Sequence, residues 1–397
     1  MPVSLRSAAL ARFILLFAVM YAAFGVASPF LPAFLQANEL SPEQIGILLA
    51  AATAVRLISG PAAGRLADRL AALRSVLCAC AALAAIAALS LLPASGFVLL
   101  LAVSLLHAAA LAPTTTIADA LALGVASRRD GFEYGWVRGA GSAAFIVGSI
   151  VAGQAIGALG LHIIVWLQAG LLVAAAASTM MVPDAVSRPN LIAAREQGPP
   201  SIRILLALPQ FRLLLMIAAL VLGSHAMHDS FAVIRWSAAG ISPATASVLW
   251  SESVATEVVV FFLIGPALVG RLGPAGAMAV AAAAGALRWI VSAVTADVAA
   301  LALIQPLHGL TFALLHLACM RLLAHTVPPG LAATAQAIYG TLAVGATTAM
   351  LTLVSGLLYG RLGAAGFWVM AALCVAALPV ALALGRCKQP YQPDRAQ

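Results

Sequence analysis

Gly64-Arg65-Leu66-Ala67-Asp68-Arg69 is a charged hexapeptide set between two long apolar runs. Charge is scarce elsewhere: 9% of the 397 residues are charged, 63% are hydrophobic, and the mean hydropathy is +1.06. Soluble domains carry about 25% charge and about half apolar residues, so the runs flanking the hexapeptide belong in hydrocarbon. A spanning helix needs roughly 20 apolar residues, and the chain accommodates about twelve of them with short loops. Backbone groups must be paired inside a bilayer, and Ala/Leu-rich runs lack the alternation of barrel strands, so the spans are expected to be helices. The hexapeptide is then a loop joining two of them.

Working outward, apolar spans are expected at 12–36, 42–64, 75–93, 97–125, 134–158 and 161–182, then at 208–235, 243–269, 274–295, 298–325, 331–359 and 363–385. A Pro-rich polar stretch from Pro183 to about Ser201 separates the two sets. The expected organisation is a six-helix bundle over 1–182, a linker over 183–207 and a second six-helix bundle over 208–397. Arg6, Arg12, Arg65, Arg69, Arg74, Arg128, Arg129, Arg188, Arg195, Arg203, Arg212, Arg271, Arg321, Arg386, Lys388 and Arg395 collect on one side, against Arg235 and Arg361 on the other. The positive-inside rule then makes both termini and the linker cytoplasmic. It also accounts for the net charge of +8 without nucleic acid, since no soluble basic domain exists to bind one. The N-terminal run is too long for a signal peptide and reads as the first span. Four of the five cysteines fall in or at apolar spans as small packing residues; Cys78 and Cys80 have no further ligands for a metal.

The two sets repeat each other. Ser41-Pro42, Leu48, Arg56, Gly64 and Leu106-His107 recur 201 positions later as Ser242-Pro243, Leu249, Glu257, Gly265 and Leu307-His308. Gly153, Gly157, Leu159 and Gly160 recur at 203 as Gly356, Gly360, Leu362 and Gly363. Parallel repeats joined by a cytoplasmic linker are one of the plans of secondary transporters.

The hexapeptide resembles the signature loop of the major facilitator superfamily. Asp119-Ala120-Leu121-Ala122, Tyr134-Gly135-x-Val137-Arg138-x-x-Gly141-Ser142, Leu249-Trp250-Ser251, Glu257-Val258, Arg288-Trp289, Leu307-His308 and His316-Leu317-Ala318-x-Met320-Arg321 look like the bacterial 3-phenylpropionate transporter family within it. That family is related to lactose and nucleoside proton symporters, and the blocks cover nearly the whole chain. The resemblance implies an all-α membrane protein of twelve helices in two pseudo-symmetric bundles. It implies proton-coupled uptake of a small organic solute, such as an aromatic carboxylate, across a bacterial inner membrane. The expected partners are substrate, protons and lipid; the expected state is a monomer, without cofactor, metal or enzymatic activity. Sugar or nucleoside symport is an alternative. So is proton-driven efflux, although the glycine-rich fifth span lacks the proline of the exporter motif. In the superfamily the signature loop is viewed as a latch, which here points to Gly64, Asp68 and Arg69; Gly64 is expected to permit close helix approach.

Charges at bilayer depth cost several kcal/mol by insertion scales, of order 3 for Arg or Asp, and mark functional sites by default. Glu257, mid-span and one heptad after Trp250, is the expected proton carrier, with Arg288 on the antiparallel ninth span as its expected partner; a static helix-orienting pair is the competing reading. In the lactose permease relative, a carboxylate, an arginine and a histidine on helices 8, 9 and 10 do this work, which implies His308 as third member. Gln305, His308, Phe312 and His316 share one helical face. Asp119 and Arg138 are expected to pair, either at substrate or at a cytoplasmic gate. Arg56 suits an anionic ligand, or else pairs with Glu257 or Asp229. His225, His228 and Asp229 read as polar lining rather than metal ligands. Tyr21 and Trp250 are candidates for stacking on a substrate ring.

Overall fold

In the computed structural model, residues 3–128, 131–183, 202–328 and 330–387 are described, and no strand occurs among them. The N-half carries α1 (Val3–Ala27), α2 (Pro42–Arg69), α3 (Leu73–Leu89), α4 (Phe97–Ala126), α5 (Tyr134–Leu159) and α6 (Ile163–Thr179). The first span is shifted from 12–36. Its helix ends at Ala27, and a short helix, Leu31–Ala37, follows with a proline in its first turn. Pro29 lacks a donor, and Pro32 is pre-set to start a helix.

The C-half begins with α7 (Pro209–Ala238), interrupted at Ser224-His225. Two stretches, Pro243–Val294 and Ala332–Arg386, run for 52 and 55 residues, too long for one crossing. Each turns at a glycine of positive φ, Gly273 (69°) and Gly363 (55°), a conformation glycine reaches without a Cβ penalty. They divide into α8 (243–272) and α9 (274–294), and into α11 (332–362) and α12 (Phe367–Arg386), with α10 (Val298–Thr326) between them. Among the described residues this gives the segments α1 to α12, of which α3 and α6 are the shorter apolar helices. Most of the expected linker, residues 184–201, lies outside the described residues, as do Arg129, Arg188, Arg195, Lys388 and Arg395.

The repeated Ser-Pro pair is one device used twice. Ser41 caps α2 by accepting from the Gln44 amide (3.3 Å), while the Gln44 side chain accepts from the Ser41 amide (3.0 Å). Ser242 caps α8 by accepting from the Thr245 amide (3.2 Å). In both, proline occupies the first turn, where its missing N–H costs nothing.

Lipid is as apolar as leucine, so close packing rather than hydrophobicity holds membrane helices together. At the end where α2 and α8 begin, one core draws buried residues from both halves, among them Phe30, Phe34, Ile45 and Ile156 with Phe231, Trp236, Leu249 and Phe367. The repeated glycines make this joint. A Cβ on Gly356 would come within 2.7 Å of the Pro42 carbonyl and 2.9 Å of the Gly46 Cα. A Cβ on Gly153 would meet Ser247 Oγ and lie 2.6 Å from the Pro243 carbonyl. The two contacts are pseudo-symmetric copies, α2 on α11 and α8 on α5.

At the opposite end each half has its own core: Phe13, Phe17, Leu77, Ile117 and Leu121 in one, Phe211, Leu214, Met278, Leu315 and Leu323 in the other. Among the described residues the halves share a core at one end and no buried cluster joins them at the end carrying the Gly64–Arg69 turn, so they are joined at the first and parted at the second. One expectation for that turn is corrected here. A Cβ on Gly64 would meet nothing within 4 Å, so this glycine makes no close approach. Asp68 and Arg69 are exposed, and neither forms a side-chain hydrogen bond or ion pair among the described residues, so the turn is unengaged in this conformation.

Candidate functional site

The buried charges converge in the C-half. Arg288 on α9 is fully buried (0% exposed). Its Nη2 donates to Gln305 Oε1 (2.8 Å), which also accepts from Ser253 Oγ (3.0 Å). Its Nη1 lies 3.0 Å from His308 Nδ1. A guanidinium has no acceptor, so Nδ1 accepts and the neutral ring carries its proton on Nε2. That atom lies 2.8 Å from Glu257 Oε1 and donates to it. Arginine, histidine and carboxylate thus form a chain with one direction. The Glu257 side chain, 24% exposed, is its accessible terminus.

Local backbone features bring these residues together. A Cβ on Gly309 would lie 2.6 Å from the Thr256 carbonyl, so this glycine sets the close crossing of α8 and α10 beside Glu257 and His308. Both helices widen into π turns just beyond, Val260–Ile264 after Glu257 and Leu310–Leu314 after His308, an irregularity frequent at functional sites. The expected Glu257–Arg288 pair is corrected: no direct ion pair joins them, because His308 stands between.

Aromatic rings and a second polar layer back the chain. Arg288 stacks over Trp289 (4.7 Å), whose Nε1 donates to Ser224 Oγ (2.8 Å). His225 bonds Thr311 Oγ1 (2.9 Å) and packs edge-on against both Trp289 and His308 (5.2 Å each). His228 stacks on Trp250 (5.1 Å) and its Nδ1 lies 3.2 Å from Asp229 Oδ1. Asp229 is accessible to water and within electrostatic reach of His225, His308 and Arg288. His316, on the same face as His308, lies apart against Tyr339 (3.3 Å to the hydroxyl) and Phe261.

In the N-half the expected Asp119–Arg138 pair is also absent. Tyr134 donates to Asp119 Oδ1 (2.7 Å), and Arg138 donates to the Tyr21 hydroxyl while lying over its ring (4.7 Å). Tyr134 and Arg138 sit four residues apart on α5, so the tyrosine was legible as a neighbour of the site, but sequence reasoning passed it over, as it did Ser253, Thr311 and Gly309. Tyr21 stacks on Phe17 (5.9 Å) and Trp250 on His228, so neither ring is wholly free. Arg138 reaches Glu257 electrostatically across the two halves. Arg56 on α2 forms no ion pair with Glu257 or Asp229 and stays solvent-accessible. Among the described residues, no group of three or more His, Cys, Asp or Glu lies close enough to hold a metal.

A helical membrane protein with two packed halves, parted at one end and lined with mid-depth charges, is built as a secondary transporter. Residues 10–370 match the MFS_1 like family, and the chain belongs to it. It is 31% identical over 361 residues to the probable 3-phenylpropionic acid transporter of Escherichia coli strain K12, covering 89% of this chain and 92% of that one. Its fold is shared with the crystal structure of a mutant of the nucleoside transporter NupG (TM-score 0.83, 17% identity, 94% of this chain and 99% of that chain). It is also shared with an inward-facing, unoccupied bacterial homologue of the human lysosomal transporter Spinster (TM-score 0.68, 16% identity, 97% of each chain). The protein is a multi-pass membrane transporter of small molecules, not an enzyme.

Proposed function

We propose that this protein is a proton symporter that takes up a small aromatic carboxylate of the 3-phenylpropionate type across the bacterial inner membrane. The observation that carries the reading is the Arg288–His308–Glu257 chain. A carboxylate accepting from a histidine whose other nitrogen is held by a buried arginine has one protonatable end facing water. Protonation of Glu257 removes its pull on the His308 proton, and a ligand shifts a conformational equilibrium only by such differential interactions. The name of the 31% identical relative supports the substrate class.

The halves 1–182 and 208–397 rock about the glycine joint, with the linker 183–207 and both termini in the cytoplasm. In that orientation the parted end, which carries Arg65, Arg69, Arg271 and Arg321, opens to the cytoplasm, the arrangement for release. Loading follows when the joint opens and the parted end closes, engaging Asp68 and Arg69. Glu257 takes a proton from the acidic outer side and gives it up inside, so an inward proton gradient drives accumulation.

Proteoliposome uptake of labelled 3-phenylpropionate, benzoate, a nucleoside and a sugar, with and without a pH gradient, tests this. Accumulation of the aromatic acids alone, dependent on acid outside, is expected. Uptake indifferent to the gradient would remove the proton from the mechanism, and preference for the nucleoside or sugar would replace the substrate.

A further inference from the structure

The duplication that places Glu257 against His308 also places Arg56 and His107 at the matching positions of the N-half, each 201 residues earlier. Helices α2 and α4 pack together, and His107 lies within the electrostatic field of Arg56. The N-half pair has no carboxylate. Arg56 is exposed, and no hydrogen bond or ion pair ties it down among the described residues. His107 is 5% exposed, and its Nε2 is buried without any hydrogen-bond partner. An orphan polar atom at that depth is costly unless something completes it. By contrast Arg138 is already bonded to Tyr21, and Arg288 to Gln305 and His308.

We propose that Arg56 and His107 form the anion site that receives the substrate carboxylate, an assignment that rests on the carboxylate reading of the function. The guanidinium supplies a forked pair of donors matched to a carboxylate, and His107 Nε2–H supplies a further donor to the same group once the entering ligand displaces the side chains that cover it. The two halves then divide the work: the pair that became Glu257–His308 holds the proton, and the pair that stayed Arg56–His107 holds the anion. The ligand class is a monoanionic carboxylate; its neutral amide would lose the charge-assisted bonds.

The test is arginine modification by phenylglyoxal, read peptide by peptide by mass spectrometry on the full-length protein in nanodiscs. It is run with 3-phenylpropionate, hexanoate or 3-phenylpropanamide. Binding of labelled 3-phenylpropionate is measured in parallel. The expected result is that 3-phenylpropionate slows labelling of Arg56 and the amide does not. Arg56→Gln should weaken carboxylate binding by about 10- to 100-fold, the worth of one charged hydrogen bond. His107→Leu should lose most of the protection, whereas His107→Gln, which restores an N–H donor to a side chain of similar reach, should keep it. Bound 3-phenylpropionate that leaves Arg56 labelling unchanged, or Arg56→Gln that retains the preference for acid over amide, overturns the site and leaves the proposed function intact. Protection by hexanoate with no response to 3-phenylpropionate upholds the site and overturns the aromatic substrate. No protection by either acid overturns the site.

Discussion

His308 donates its Nε2 proton to Glu257 across 2.8 Å while its Nδ1 accepts from Arg288 at 3.0 Å. The direction of this chain is imposed from its buried end. Arg288 has only protons to give, so His308 is held in one tautomer and Glu257 is the acceptor. A second proton on His308 would have to displace Arg288, which leaves the carboxylate, the accessible member, to take up the proton from water.

Glu257→Gln keeps the shape and an acceptor for His308 but cannot carry a proton. Proteoliposomes bearing it are expected to bind and exchange substrate near the wild-type rate and to lose accumulation driven by acid outside. Wild-type uptake should rise as external pH falls at fixed internal pH; the variant should give a flat profile. A pH-dependent profile in Glu257→Gln would place the proton elsewhere.

Gly309→Ala probes the helix crossing rather than the chemistry. Its Cβ would lie 2.6 Å from the Thr256 carbonyl, a backbone atom that cannot rotate away. Overpacking of this kind costs about 1–3 kcal/mol. The expected outcome is a lower melting temperature in detergent and impaired proton coupling, because α8 and α10 must separate where Glu257 meets His308. Unchanged coupling would show that the contact tolerates a wider crossing.

Gly356→Leu should pry the joined end apart, since its first side-chain atom meets the Pro42 carbonyl and Gly46. Double electron–electron resonance between spin labels on the first turns of α2 and α8 is expected to shift toward longer distances. Gly157→Leu is the control: a Cβ there meets nothing within 4 Å, and no shift is expected.

Asp68→Asn tests the turn. Asp68 is exposed and engages no partner in this conformation among the described residues, so the melting temperature of the purified protein should barely move, as for surface substitutions within about 0.5 kcal/mol. Turnover should fall if the carboxylate is used only when the parted end closes. Loss of stability with normal turnover would assign it a static role instead.

Arg288→Met removes one donor each from Gln305 and His308, and a buried acceptor left unpaired costs about 1–3 kcal/mol. Gln305 retains Ser253. The melting temperature should drop, and proton-driven accumulation should fail even where the protein folds, because His308 is no longer held in one tautomer. Normal accumulation would reduce Arg288 to a packing role.

Composition alone determined that this chain crosses a membrane as helices, because hydrocarbon offers no partner for an open backbone. The repeat at 201 and 203 residues marked Glu257, His308, Arg56 and the joint glycines, and the family was legible as a resemblance of the Gly64–Arg69 turn and the blocks around Asp119, Arg138, Glu257, Arg288 and His308. Those signals are local: a residue's polarity at bilayer depth, a cap, a glycine. What only the tertiary structure decided is who meets whom. Glu257 and Arg288 do not touch, Asp119 bonds Tyr134 and not Arg138, and Trp250 is taken up by His228. A rotation of one helix by a fraction of a turn exchanges such partners while leaving every hydropathy value unchanged. The end at which the halves part was equally invisible, because it is the shared core around Phe34, Ile45, Phe231 and Leu249 and the packing of Gly153 and Gly356 that distinguish the joined end, and these contacts exist only in the folded chain.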